Sequence, residues 1–187
     1  MSTIYYTATT LDGYLADEED SLHWLFKQDQ DKNGALSYEE FIAGVGAVCM
    51  GSTTYEWVLP HLTDGWVYEQ PSWVFTTREL PRVEGDVRFV QGDVRPVHEQ
   101  MVAAADGKDV WVVGGGDLAA QFAEAGLLDR LLLSVAPVTL GAGRPLFPRP
   151  FDLRLVEMAR NGAFACLTYD VVGPLVRGPD NPGSLTP

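Results

Sequence analysis

Apolar residues in this chain come in short runs, separated by polar or glycine-rich stretches, and the spacing inside each run assigns its element. Ile4 to Ala8, Ala47 to Met50, Ser72 to Thr76, Val87 to Val90, Val110 to Val113 and Leu131 to Val138 read as strands. Between them, helical patterns cover Ser21 to Lys27, Tyr38 to Gly46, Thr53 to Val58, Val97 to Ala105 and Asp117 to Ala125. Leu153 to Arg160 and Ala163 to Val172 read as a hairpin, with Asn161-Gly162 as its turn. Alternating strands and helices imply a largely parallel sheet, and the final hairpin implies an antiparallel edge.

One junction carries more chemistry than the others. In V110-W-V-V-G-G-G-D-L-A-A-Q-F-A-E-A125, an apolar strand runs into Gly114, Gly115 and Gly116, and a helix opens at Asp117. Leu118, Ala119, Phe122 and Ala123 share one face of that helix. A turn without Cβ atoms admits a ligand close to the backbone. The unpaired N–H groups of a helix N-terminus suit a phosphate. The alternative is a plain strand-to-helix connection, and the spacing is not the G-x-G-x-x-G of dinucleotide-binding folds.

Composition narrows the partners. The 187 residues are 46% hydrophobic, enough for one α/β domain with a substantial core. The net charge of −13 argues against nucleic acid and anionic membranes, so an anionic cofactor needs locally placed donors. No apolar run reaches the length of a membrane span, and the N-terminus lacks a basic region of the signal-peptide kind. Cys49 and Cys166 lie in apolar segments, as buried free thiols of a cytoplasmic protein would. Residues 1–173 read as a single domain and 174–187 as a Pro/Gly-rich tail.

Several segments in order resemble one family: L11-D-G-Y-L-A16, V48-C-M-G-S-T-T-Y-E56, V74-F-T-T-R-E-L80, V112-V-G-G-G-D-L118 and A136-P-V-T-L-G-A-G-R-P-L-F147. The chain is similar to the dihydrofolate-reductase-like family, and within it to the reductase (RibD C-terminal) domain of the bifunctional riboflavin-biosynthesis enzyme. The resemblance spans roughly residues 3 to 172. It implies a dihydrofolate-reductase-like three-layer α/β/α fold, a mostly parallel central mixed sheet and an antiparallel C-terminal hairpin. It also implies NADPH across the carboxyl ends of the strands.

On that resemblance, Gly114, Gly115, Gly116, Asp117 and Leu118 would line the pyrophosphate, with a cis peptide inside the glycine triplet. Gly51, Ser52, Thr53 and Thr54 would offer a second phosphate-binding helix start. Thr76, Thr77 and Arg78 would hold the 2′-phosphate, Arg78 through its planar fork. Ala8 would line the reaction centre. Leu11, Asp12 and Gly13 would form a mobile loop, with Asp12 the leading catalytic acid and Asp20, His23 and Glu40 as other candidates. Relatives often carry a basic residue after the glycine that matches Gly51, where this chain has Ser52. A homodimer would be usual for such a protein, with the strand Leu131 to Val138 as one element available to an interface.

A second motif falls outside that family pattern. D29-Q-D-K-N-G-A-L-S-Y-E-E40 matches a calcium-binding EF-hand loop. Asp29, Asp31, Asn33, the Ala35 carbonyl, Ser37 and Glu40 would supply the oxygens, and Gly34 the sharp turn. The other reading is a polar surface loop, because the family itself tends toward Y-E-E-F at this point.

The expected function is therefore an NADPH-dependent reductase of a small heterocyclic or sugar-derived substrate, similar to either the ribosylaminopyrimidine reductases or the folate reductases. The competing class is a non-catalytic nucleotide- or calcium-binding protein on the same fold.

Overall fold

The computed structural model describes residues 1–63, 65–176 and 178. Ten strands form two sheets. They are β1 (Thr3–Thr10), β2 (Tyr14–Ala16), β3 (Val45–Gly51), β4 (Ser72–Phe75), β5 (Val87–Val90), β6 (Asp109–Gly114), β7 (Arg130–Ala136), β8 (Arg144–Pro145), β9 (Phe151–Asn161) and β10 (Phe164–Pro174). The main sheet has the order β5-β4-β3-β6-β1-β7-β10-β9. Its first six strands pair in parallel, and β10 and β9 close it in antiparallel fashion.

Side-chain alternation along the strands builds the three layers. Val110 and Val112 of β6, with Ala47 and Cys49 of β3, face α4 (Val94–Ala104) and α5 (Gly116–Glu124). Val97, Met101, Leu118 and Phe122 fill that layer, and burying a ring such as Phe122 contributes about 1.5–3 kcal/mol. Trp111 and Val48 point the other way, onto Phe41 and Ile42 of α2 (Tyr38–Ala43). Met50 and Val74 pack there against Tyr55 of α3 (Ser52–Val58). The short α1 (His23–Phe26) sets Trp24 against Phe164 and Cys166 under the second half of the sheet.

Four details differ from the expected elements. α4 starts three residues earlier than Val97, because the Asp93 carboxylate accepts the Arg95 N–H at 3.0 Å and caps the helix. α2 stops at Ala43 and β3 starts at Val45, so Gly46 lies inside the strand, where any Cβ on it would collide with backbone of Ala105. The hairpin turn is Gly162-Ala163 instead of Asn161-Gly162, with Phe164 paired to Asn161 and Gly162 at φ +56°. A small ladder of β2 with β8 is too short to leave a periodic signal.

β7 lies between β1 and β10 with Leu131 and Leu133 buried, so it is a core strand and offers no sheet edge to a second copy. Among the described residues, no helix is long and apolar enough to cross a membrane. Of the expected tail, Pro174 ends β10, while 177 and 179–187 lie outside the described residues.

Candidate functional site

Neighbouring strands β3 and β6 send their chains to opposite faces of the sheet, β3 into α3 and β6 into α5. Diverging crossovers open a crevice at the carboxyl ends of the strands, the usual place for a ligand in such a sheet. A cavity of about 410 Å³ lies there. Thr7 and Ala8 of β1, Val113 and Gly114 of β6, and Gly115 to Asp117 form its floor and one side. Thr53, Thr54 and Trp57 of α3 form another. Leu15, Ala16, Asp20, Leu22 and Leu25 close it from the N-terminal segment, and Arg144, Pro145 and Pro148 from the loop around β8.

The three glycines have three different jobs. A Cβ on Gly116 would run into the carbonyl oxygens of Pro145 and Leu146, so this residue lets two backbones touch. A Cβ on Gly114 would stand 3.1 Å from the Thr54 hydroxyl. Around Gly115 no atom lies within 4 Å of that position. Gly115 is also the N-cap of α5, and no side chain caps the helix there. Its first N–H groups therefore start beside the cavity without a side-chain acceptor. The one acid in that turn, Asp117, is paired to Arg149 at 3.0 Å, which offsets its repulsion of an anion. All peptide bonds in the glycine triplet are trans, contrary to the cis bond that the resemblance implied.

The other expected cofactor residues divide. Ala8, Thr53 and Thr54 line the cavity with the triplet. Gly51, Ser52, Thr76, Thr77 and Arg78 are not among its lining residues. The Thr76 hydroxyl accepts the Arg78 N–H at 2.9 Å in a local turn. The Arg78 guanidinium makes a bidentate pair with Glu56, at 3.1 and 2.6 Å. Glu56 lies one helical turn beyond Ser52, and sequence reading gave no warning that it would hold the cation. Leu118 belongs to the core under α5, and its side chain does not face the cavity.

Asp12 does not line the cavity. Its carboxylate accepts the Thr10 hydroxyl at 2.6 Å and the Gly141 and Leu140 amides at 2.7 and 2.9 Å. Those bonds, the hydroxyl first, hold it below the usual carboxylate range. It pins the 138–141 loop to the end of β1, outside the cavity lining. Of the other candidate acids, His23 and Glu40 are exposed and do not line the cavity, whereas Asp20 does. Asp20 grips Arg144 through Nε at 2.6 Å and Nη2 at 2.9 Å, and this pair lowers its pKa. Arg144 lies in the Ala136 to Phe147 segment that carries the resemblance, but nothing in the sequence singles out Arg144 or Trp57, because single residues in loops and short helices have no periodicity to betray them.

The acidic loop is organised around a side chain of the protein. Buried Asn161 accepts the Asp31 N–H at 2.8 Å and donates to the carbonyls of Asp31 and Ala35 at 3.0 and 2.9 Å. The Ala35 oxygen, expected to face a cation, thus faces an amide. Gly34 provides close approach to Asn161. Ser37 is buried, while Asp29, Asp31, Asn33 and Glu40 are exposed. Among the described residues no cluster of three or more acidic, histidine or cysteine side chains is placed to hold a metal. The twelve-residue spacing is met, but the loop closes on Asn161.

Residues 2–166 match the family described as the RibD C-terminal domain. Two proteins of Bacillus subtilis (strain 168) are similar: uncharacterized protein YwjB, 32% identical over 78% of this chain and 82% of its own length, and uncharacterized protein YyaP, 26% identical over 75% and 77%. Among solved structures, a putative riboflavin biosynthesis protein from Shewanella sp. PV-4 superposes with a TM-score of 0.78 at 25% identity, over 91% of this chain and 99% of that one. Dihydrofolate reductase from Enterococcus faecalis, in complex with NADP(H), shares the fold at a TM-score of 0.55 and 14% identity, over 91% and 96%. With the crevice, the glycine turn and this match over nearly its whole length, the chain belongs to the RibD C-terminal domain family, on a dihydrofolate-reductase-like fold.

Proposed function

We propose that this chain is an NADPH-dependent reductase of a small heterocyclic or sugar-derived substrate. The observation that carries the reading is Gly115: an open backbone, at an uncapped helix N-terminus, facing a cavity at the carboxyl ends of β1 and β6. That donor set fits a pyrophosphate. Gly114 to Gly116 would hold it with backbone amides, and the Thr53 and Thr54 hydroxyls would add donors from α3. NADPH would supply a hydride there. Ala8, with no bulk beyond its methyl, leaves room for a flat ring at the end of β1. Leu15, Leu22, Leu25 and Trp57 keep water from the space where that ring would meet a substrate.

The 2′-phosphate has a competitor. Arg78 is the expected partner, and Glu56 already occupies its fork. Glu56→Gln should release Arg78 and raise NADPH affinity over NADH by about tenfold, the scale of one charge-assisted contact. A variant with unchanged cofactor preference removes Arg78 from the site.

One observation favours a catalytically silent nucleotide-binding protein. Asp12 is bound to a loop and Asp20 to Arg144, so neither carboxyl is free as a proton donor. Calorimetry with NADPH, followed by NADPH oxidation with pyrimidine and pterin substrates, separates the readings. Micromolar binding with turnover supports the reductase, binding without turnover supports the silent protein, and no NADPH binding overturns both.

A further inference from the structure

We infer that the substrate is a small planar heterocycle that carries no phosphate, received by the apolar half of the cavity with its polar edge toward the Arg144–Asp20 pair. The inference rests on the reductase reading for the identity of the cavity as a substrate site. Its chemistry is argued from charge and surface.

Arg144 is the one cation among the residues lining the cavity, against two carboxylates, Asp20 and Asp117. Two donor positions of its fork, Nε and Nη2, already serve both Asp20 oxygens. A phosphate needs this fork for itself. It would have to displace Asp20 and then leave that carboxylate unpaired beside a dianion, a like-charge contact that disfavours binding. The pair is also held from both sides. Arg144 belongs to β8, which is laddered to β2, and Asp20 is fixed at φ +60° in a turn where its N–H bonds the Asp17 carbonyl at 3.2 Å.

The rest of that half is apolar. Leu15, Leu22, Leu25 and Pro145 face the space, and Trp57 forms one wall. The indole is held in place by His61, stacked at 4.3 Å, and by Phe26, near-parallel at 6.2 Å. Such walls favour a flat ring with little charge. The unused Nη1 of Arg144 has donors for a ring carbonyl, and the amide N–H groups of such a ring can meet the remaining lone pairs of Asp20.

The test uses the full chain and two probes, 5-amino-6-(5-phosphoribosylamino)uracil and the same compound without its phosphate. Binding is measured by calorimetry with and without NADPH, and NADPH binding is measured alone. The dephosphorylated compound should bind about tenfold more tightly or better. Asp20→Asn, which tolerates the positive φ, should free Arg144 and reverse the preference toward the phosphorylated compound. Equal or tighter binding of the phosphorylated compound by the unaltered protein overturns the inference, and so does failure of both probes to bind at millimolar concentration. Failure of NADPH alone to bind overturns the reductase reading instead. In that case the probe preference measured without cofactor still decides the charge assignment.

Discussion

Two loops of this molecule both spell a ligand-binding motif, and they end in opposite states. The glycine turn at 114–116 leaves its central residue open to a cavity, with no side chain capping the helix behind it. The acidic loop at 29–40 is already satisfied from within, because Asn161 supplies one acceptor and two donors to its backbone. A motif lists the groups a ligand would use. Whether those groups are still available depends on what the rest of the chain brings to them, and buried polar groups in a folded protein seldom wait unpaired.

The largest test of this contrast is Asn161→Ala. Three hydrogen bonds vanish from a buried residue: the Asp31 N–H loses its acceptor, the Asp31 carbonyl keeps only the Gly34 N–H, and the Ala35 carbonyl only the Cys166 thiol at 3.6 Å. Unfolding free energy should fall by about 3 kcal/mol in chemical denaturation. NADPH binding should persist, since the glycine turn is elsewhere; a loss below about 1 kcal/mol would mean that the loop does not depend on its amide.

The glycine turn can be divided residue by residue. Gly116→Ala forces a methyl group against two carbonyl oxygens and should cost about 2 kcal/mol of stability before any ligand is added. Gly115→Val meets open space, so the free protein should melt close to the unaltered one, while NADPH binding weakens about tenfold or more. If Gly115→Val binds NADPH normally, the pyrophosphate does not approach that backbone.

A smaller effect should come with pH. His98 bonds the Thr3 hydroxyl at 2.8 Å, and burial holds its pKa below the ordinary 6.5, against the opposing pull of Asp129 and Glu99. The unfolded chain therefore binds the proton more readily than the folded one. Stability should be full above about pH 6.5 and fall as pH drops through that value toward the folded pKa. Comparing the unaltered protein with His98→Gln across that window isolates this group from the carboxylates, and identical slopes would assign the dependence to other residues.

The smallest expected response is to calcium. Millimolar Ca²⁺ should leave the melting temperature unchanged, and Glu40→Gln should change nothing further. A calcium-dependent rise abolished by Glu40→Gln would show that the loop can abandon Asn161 for an ion.

Most of the fold was legible because strands and helices announce themselves by periodicity. Val87 to Val90 is a strand in both readings, and of the family segments the glycine triplet, Thr53 and Thr54 line the cavity. What stayed hidden were pairings between distant residues. Asp12 looked like an acid because its side chain can be one; its role is set by amides at 140 and 141. Arg78 looked like a phosphate ligand because nothing near it in the chain revealed Glu56 as its partner. Asn161 was read as half of a turn, and the one-residue shift of that turn is what turns its side chain inward, onto the loop near residue 31.

That last contact joins positions 130 residues apart. During synthesis the acidic loop leaves the ribosome long before the hairpin that completes it. Until then the Asp29 and Ala35 carbonyls lack the partners that the hairpin brings, the Ala163 N–H and the Asn161 amide, and the polypeptide around Asp29 to Asp31 is an exposed, cleavable segment. Docking of the final hairpin seals it. The loop thus reports on the completeness of the chain, and a protease that cuts there would separate finished molecules from those still waiting for their last two strands.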